Sequence, residues 1–201
     1  MKHSGIYLVV TCCIAGLVGC GGAPSNGPGG DFTKIDSLTE TYLALQDTML
    51  QSWNVMVNDE NEKIRSMHEL LHTLLSLQNY DKDQLISLEK RLEELKRIRF
   101  TQKTMSDPHS VEEYDFASNS LISEIISLTE SDLQFATSNE LQTLVDQIRT
   151  ADQRVNTYRS DYDMATTQFN RFLEKYQDDL KEIDQNSSPQ KRPLFQMAGN
   201  Q

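Results

Sequence analysis

His68, Glu69 and His72 carry the most specific chemical pattern in the chain. With Leu70 and Leu71 they spell H-E-x-x-H, the word of the zinc-peptidase helix. Residues four apart share a helix face, so two imidazoles could hold one Zn²⁺ while the glutamate activates a bound water. A catalytic site of this kind also needs a third protein ligand. The sequence continues Thr73-Leu74-Leu75-Ser76-Leu77-Gln78, without the G-x-x-H extension that often supplies it, although a later Glu could serve. A zinc metallopeptidase using residues 68–72 is therefore one functional reading, and the elements around the motif decide how it weighs.

Those elements are helices. From Asp31 onward no segment alternates with period two, and eight of the nine glycines precede residue 31. Leu38, Tyr42, Leu45, Met49, Trp53 and Met56 repeat at helical spacing. After a polar step at Glu60, the repeat resumes with Ile64, Met67, Leu71 and Leu74. This predicts a first helix over 36–79, loosened at the polar stretch 58–63. Asp81 or Asp83 can cap a second helix with the stripe Leu85, Leu88, Leu92, Leu95 and Ile98, ending before Asp107-Pro108. Ser110 to Glu113 reads as a capping box for a third, through Tyr114, Leu121, Ile125 and Leu128. Ser138 or Asn139 opens a fourth, whose stripe runs from Leu141 through Ile148, Tyr162 and Phe169 to Tyr176 and Leu180. Short connections make consecutive helices antiparallel neighbours. The expected fold is all-α: an elongated up-down bundle in which two long helices flank two shorter ones packed on their distal halves. The start of the first helix and the end of the fourth should then meet near a membrane.

On that first helix, at 100° per residue, Ile64, Met67, Leu71 and Leu74 fall within roughly an 80° arc. His68 and His72 lie on its shoulder, and Glu69 points about opposite the core. That is the distribution of boundary and solvent residues, so the sequence favours a non-catalytic helix over a metal site. Two acidic groups, Asp59/Glu60/Glu62 and Asp161/Asp163, lack the glycine and the spacing of a calcium loop. Tyr and Phe residues on the stripes read as core. No catalytic, cofactor-binding or metal-ligating residue is assigned.

The N-terminus reads as an address. Lys2 is followed by a mostly apolar run from Ile6 to Val18, shorter than the roughly 20 residues of a membrane span. Leu17-Val18-Gly19-Cys20 closes it and resembles the bacterial lipobox, in which the peptide is cut before the cysteine and the cysteine is lipidated. The expected organisation is a signal peptide at 1–19 and a lipidated Cys20 with a Gly/Pro/Ser/Asn tether to residue 35. A helical domain at 36–184 and a tail at 185–201 complete it. The only other cysteines, Cys12 and Cys13, fall in the segment to be removed, leaving no thiol for a disulfide. Cys20 would fix the protein to the extracytoplasmic side of a membrane, the outer membrane facing the periplasm in a diderm cell. The net charge of −11 argues against nucleic-acid binding and against electrostatic attachment to anionic lipid.

Two stretches of the body resemble the LemA family. Ser52-Trp53-Asn54 and the following EKIRSMHELLHTLL match an Ala-Trp-Ser-like triplet and the amphipathic segment after it. DQRVNTYRSDYDMATTQFNRFLEKYQDDL resembles the family's E-N-R-I-x-x-x-R-x-x-Y-N-x-x-V-x-x-Y-N-x-x-I-x-x-F-P-x-x-L pattern at Arg154, Val155, Arg159, Tyr162, Phe169, Asn170, Leu173, Tyr176 and Leu180. KRPLFQ (191–196) is similar to the family's closing K-R-x-x-F-E. The family's basic run after the Trp is acidic here, and its usual transmembrane helix is replaced by the lipobox signal. The resemblance implies a membrane-attached antiparallel bundle of unassigned activity with no catalytic residues. Together these readings describe a lipid-anchored interaction module. It would bind the membrane through Cys20 and a protein partner through helix faces left uncovered, with no cofactor and no small-molecule substrate.

Overall fold

A computed structural model describes residues 33–77, 79–183 and 189–195. Cys20, the apolar segment before it and the Gly-rich tract lie outside the described residues. The elements are α1 (Lys34–Ser76), α2 (Lys82–Ile98), α3 (Pro108–Glu130), α4 (Asn139–Lys175) and α5 (Gln177–Ile183), with single 3-10 turns at Thr104–Ser106 and Phe135–Thr137. There is no strand among the described residues. The expected all-α bundle of two long and two shorter helices is the fold observed.

Helices α1 to α4 each start where a side chain satisfies some of the free N–H groups. Thr33 and Asp36 form a reciprocal capping box for α1, with Asp36 N–H to Thr33 Oγ1 at 3.1 Å and Thr33 N–H to Asp36 Oδ2 at 2.9 Å. The helix thus opens two residues before the sequence placed it. Asp81, of the two candidates, caps α2 by accepting from the N–H groups of Asp83 and Gln84. Ser138 caps α4. Helix α3 differs from expectation. Its cap is Asp107, which accepts from His109 N–H, and Pro108 stands at its first turn. The pair taken as a stop for the second helix is the start of the third. Proline has no N–H to leave unsatisfied at that position, and its fixed φ suits helix entry. The fourth stripe also breaks: α4 ends at Tyr176 (φ −118°, ψ 25°) and the chain resumes as α5. Leu180 stays buried, so the apolar repeat survives the break in the helix.

At about 1.5 Å per residue, the 43-residue α1 and 37-residue α4 are roughly 65 and 55 Å long. They form the spine. In one half of the bundle Met67, Leu71, Leu88, Leu92, Ile125 and Ile148 belong to one core built by α1 to α4. In the other half, α1 and α4 meet without α2, through Leu38, Met49, Phe169 and Phe172. Lys34 Nζ reaches Asp179 Oδ1 at 2.7 Å, so the start of α1 and the end of the α4–α5 path do lie together. Two helices alone leave the sides of their seam open. Here α5 and the extended segment 189–195 add cover, supplying Leu180 and Phe195 to the second core.

Candidate functional site

The HELLH segment lies in the last turns of α1, which ends at Ser76. Leu70 and Leu71 are fully buried in the four-helix core, and His68, Glu69 and His72 are exposed. His68 Nε2 is 3.5 Å from Glu89 Oε1 on α2. Glu69 faces Arg65 one turn back, at 3.9 Å. Both histidines border an open groove of about 520 Å³ shared with Thr73 and Glu140. Glu140 instead accepts from Thr73 Oγ1 at 3.4 Å. Among the described residues, no three His, Cys, Asp or Glu side chains gather as metal ligands.

A denser arrangement, not legible in the sequence, lies where the four-helix half gives way to the two-helix half. The polar stretch 58–63 leaves α1 unbroken because its side chains find partners across the bundle. Lys63, 2 % exposed, has its Nζ 3.0 Å from Glu60 Oε2, 3.4 Å from Ser118 Oγ and 3.7 Å from Asp152 Oδ1. Two carboxylates and a hydroxyl thus surround the buried ammonium, giving it the partners that offset its desolvation. Glu60 also accepts from the Tyr114 hydroxyl, and Asp59 pairs with Arg154. Burial, reinforced by the Glu60 carboxylate, pushes the Tyr114 hydroxyl far above its ordinary range. Burial also raises the Asp59 carboxyl, more than Arg154 lowers it. Three of the five acids that loosely suggested calcium are committed elsewhere: Asp59 and Glu60 to this belt and Asp163 to the C-terminal segment.

Beside the belt, Arg159 makes two parallel bonds to Asp115, at 2.7 and 2.6 Å, tying α4 to α3. Its guanidinium also lies 5.5 Å from the Phe100 ring centroid and 5.0 Å from that of Phe195. Phe195 is 8 % exposed and is ringed by aromatics: Trp53 nearly parallel at 6.3 Å, Phe100 edge-on at 5.3 Å and Tyr162 edge-on at 5.7 Å. The segment bearing Phe195 is held by its backbone. Asn170 accepts from Arg192 N–H and donates to Arg192 C=O, both at 2.8 Å. Asp163 accepts from Phe195 N–H at 2.7 Å, and Tyr162 donates to Pro193 C=O at 3.4 Å. Lys191 pairs with Glu174. Residues 191–195 thus run antiparallel to α4 as an extended strap.

An enclosed cavity lies under this cluster, between Trp53, Phe100, Tyr114 and Arg159. It measures about 20 Å³, the size of one water and far below that of a small-molecule pocket. The arrangement orders helices and seats an extended peptide segment. It includes Asp163, whose carboxyl is raised by burial against the opposing pull of the Phe195 N–H and Arg159. A raised folded-state value means that the folded chain holds a proton that the unfolded chain has already lost. Stability linked to this group therefore falls as pH rises through that window. Asp163→Asn keeps an oxygen for the Phe195 N–H and has no charge to desolvate. The variant should match or exceed the parent's melting temperature at pH 7, with the difference shrinking below pH 4. A loss at pH 7 that persists in acid would contradict this account of the carboxyl.

Sequence reasoning found Trp53, Tyr162 and Arg159 as stripe or resemblance positions, but missed that they converge on the tail. The only signal was KRPLF itself, an apolar pair closing a polar tail. The assigned lipidation residue, Cys20, lies outside the described residues, and among those described no helix is long and apolar enough to cross a membrane. No family model matches the chain, and no match was found among curated proteins or solved structures.

Proposed function

We propose that this protein is a lipid-anchored, LemA-like interaction module without catalytic activity, held to the extracytoplasmic side of a membrane through Cys20. One observation carries the LemA-like part of this reading. Several of the residues that underlie the resemblance, Trp53, Arg159, Tyr162, Asn170 and the KRPLF segment, form one contiguous contact set although they are scattered from position 53 to 195. A resemblance arising only from helical periodicity gives no reason for those positions to meet. The anchor rests on Leu17-Val18-Gly19-Cys20 behind its apolar run.

Fractionation of cells making the parent and Cys20→Ser chains tests the anchor. The parent should sediment with membranes and the variant should not. Equal membrane recovery of both would sink it. The competing peptidase reading requires stoichiometric zinc in the purified protein, lost together with proteolysis in His68→Ala.

A further inference from the structure

We propose that the groove seating residues 191–195 is a peptide-recognition site for extended Lys-Arg-Pro-x-Phe segments, which the chain's own tail fills in the free protein and which a partner protein presenting the same segment enters by displacing it. The contacts have the features of a ligand site and differ from ordinary core packing. Asn170 reads both the N–H and the C=O of one residue, as an adjoining β-strand would, and Asp163 takes a second N–H three residues on. Affinity from backbone bonds of this kind transfers to any chain of the same shape. Selectivity comes from one aromatic anchor: Phe195 fills a slot between Trp53, Phe100 and Tyr162, closed by the Arg159 guanidinium. Glu174 receives the leading lysine, and a net charge of −11 attracts basic segments generally.

The strap is also built to leave. Lys191 and Arg192 are exposed, Pro193 and Leu194 are half-buried, and Phe195 is the only buried residue of the five. A short intramolecular connection gives such a strap a local concentration on the order of 1 mM, so a partner segment binding at about 0.1 mM when unopposed would appear about tenfold weaker in the intact protein. The groove would stay closed until a partner is abundant or locally concentrated. This gives the proposed module a class of partner. Because it is measured on soluble protein, it stands or falls apart from the lipid anchor.

Trp53 is the only tryptophan and stacks on Phe195, so its fluorescence reports occupancy of the slot. The probe is a synthetic peptide of residues 189–196, titrated into full-length Phe195→Ala, whose own strap has lost its anchor. Saturable binding is expected, about tenfold tighter than to the parent chain. It should be lost when the peptide's Phe is replaced by Ala and weakened about tenfold by adding Asn170→Ala to the protein. A Phe195→Ala chain that keeps its helical circular dichroism yet shows no response at 1 mM peptide overturns the proposal. Should that variant unfold, a specific-protease site placed within 184–188 leaves every contact residue native. After cleavage, the released tail must exchange with labelled peptide. Failure to exchange, or loss of the tail without peptide binding in its place, overturns the proposal equally.

Discussion

Arg159→Ala should destabilise the protein by about 3 kcal/mol, near the lower end for breaking a buried ion pair, because Asp115 keeps some access to water. For a chain of this size that is a fall of roughly 6–12 °C in melting temperature. The guanidinium side chain is 9 % exposed and its partner carboxylate 27 %, so truncation leaves Asp115 largely dry and unpaired. It also removes the cation held against Phe100 and Phe195. Arg159→Lys retains the charge, but a single ammonium cannot reproduce two parallel bonds or lie flat between two rings. It should recover less than half of the loss. Replacing both partners, as Arg159→Met with Asp115→Leu, should be milder than Arg159→Ala alone, since it leaves no orphaned charge. Denaturant melts of the three variants check this. A double variant worse than the single would show that the pair is a net source of stability, and not a device that fixes how α3 meets α4.

The second large effect falls inside the H-E-x-x-H word. Leu71 has no exposed surface and belongs to the four-helix core. Leu71→Ala should cost about 3 kcal/mol through lost transfer energy and the cavity left behind. His68→Ala, Glu69→Ala and His72→Ala should each change stability by less than about 0.5 kcal/mol. The 3.5 Å approach of His68 to Glu89 joins two well-exposed side chains and stabilises little. The contrast is the point. If the histidines carry more stability than the leucine, or if stability rises with added zinc and the rise disappears in His72→Ala, then the motif has a role that its packing does not suggest.

The helices were legible because burial imposes a period. Met67, Leu71 and Leu74 are all fully buried, as their spacing required. The same logic placed His68 at the edge of the core stripe and Glu69 in water, and predicted the four buried leucines of α2. Helix starts were legible to within a residue where the cap candidates adjoin, as at Ser138 and Asn139, and misread where Asp107-Pro108 can stop one helix or start another. The polar step at Glu60 shows the limit of the method. Alone it looks like weakness in α1, but it is a buried partner for Lys63 and Tyr114. A polar residue at a core position declares a need for partners without naming them. The strap was hidden for a related reason. Asn170 and Asp163 bind backbone atoms of residues 22 and 32 positions away, and such bonds leave no period and no motif in the sequence. Even so, the strap changes which surfaces are free. Part of the long-helix face that the sequence offered to a partner is already occupied by Phe195.

The anchor remains the central claim, and the intact mass of the protein extracted from cell envelopes tests it most directly. The account predicts a chain that begins at Cys20, heavier than its sequence by a diacylglyceryl group and an N-acyl chain, with Cys20→Ser keeping residues 1–19. An unmodified mature chain cut at another position, or one retaining residues 1–19 when Cys20 is present, would contradict it.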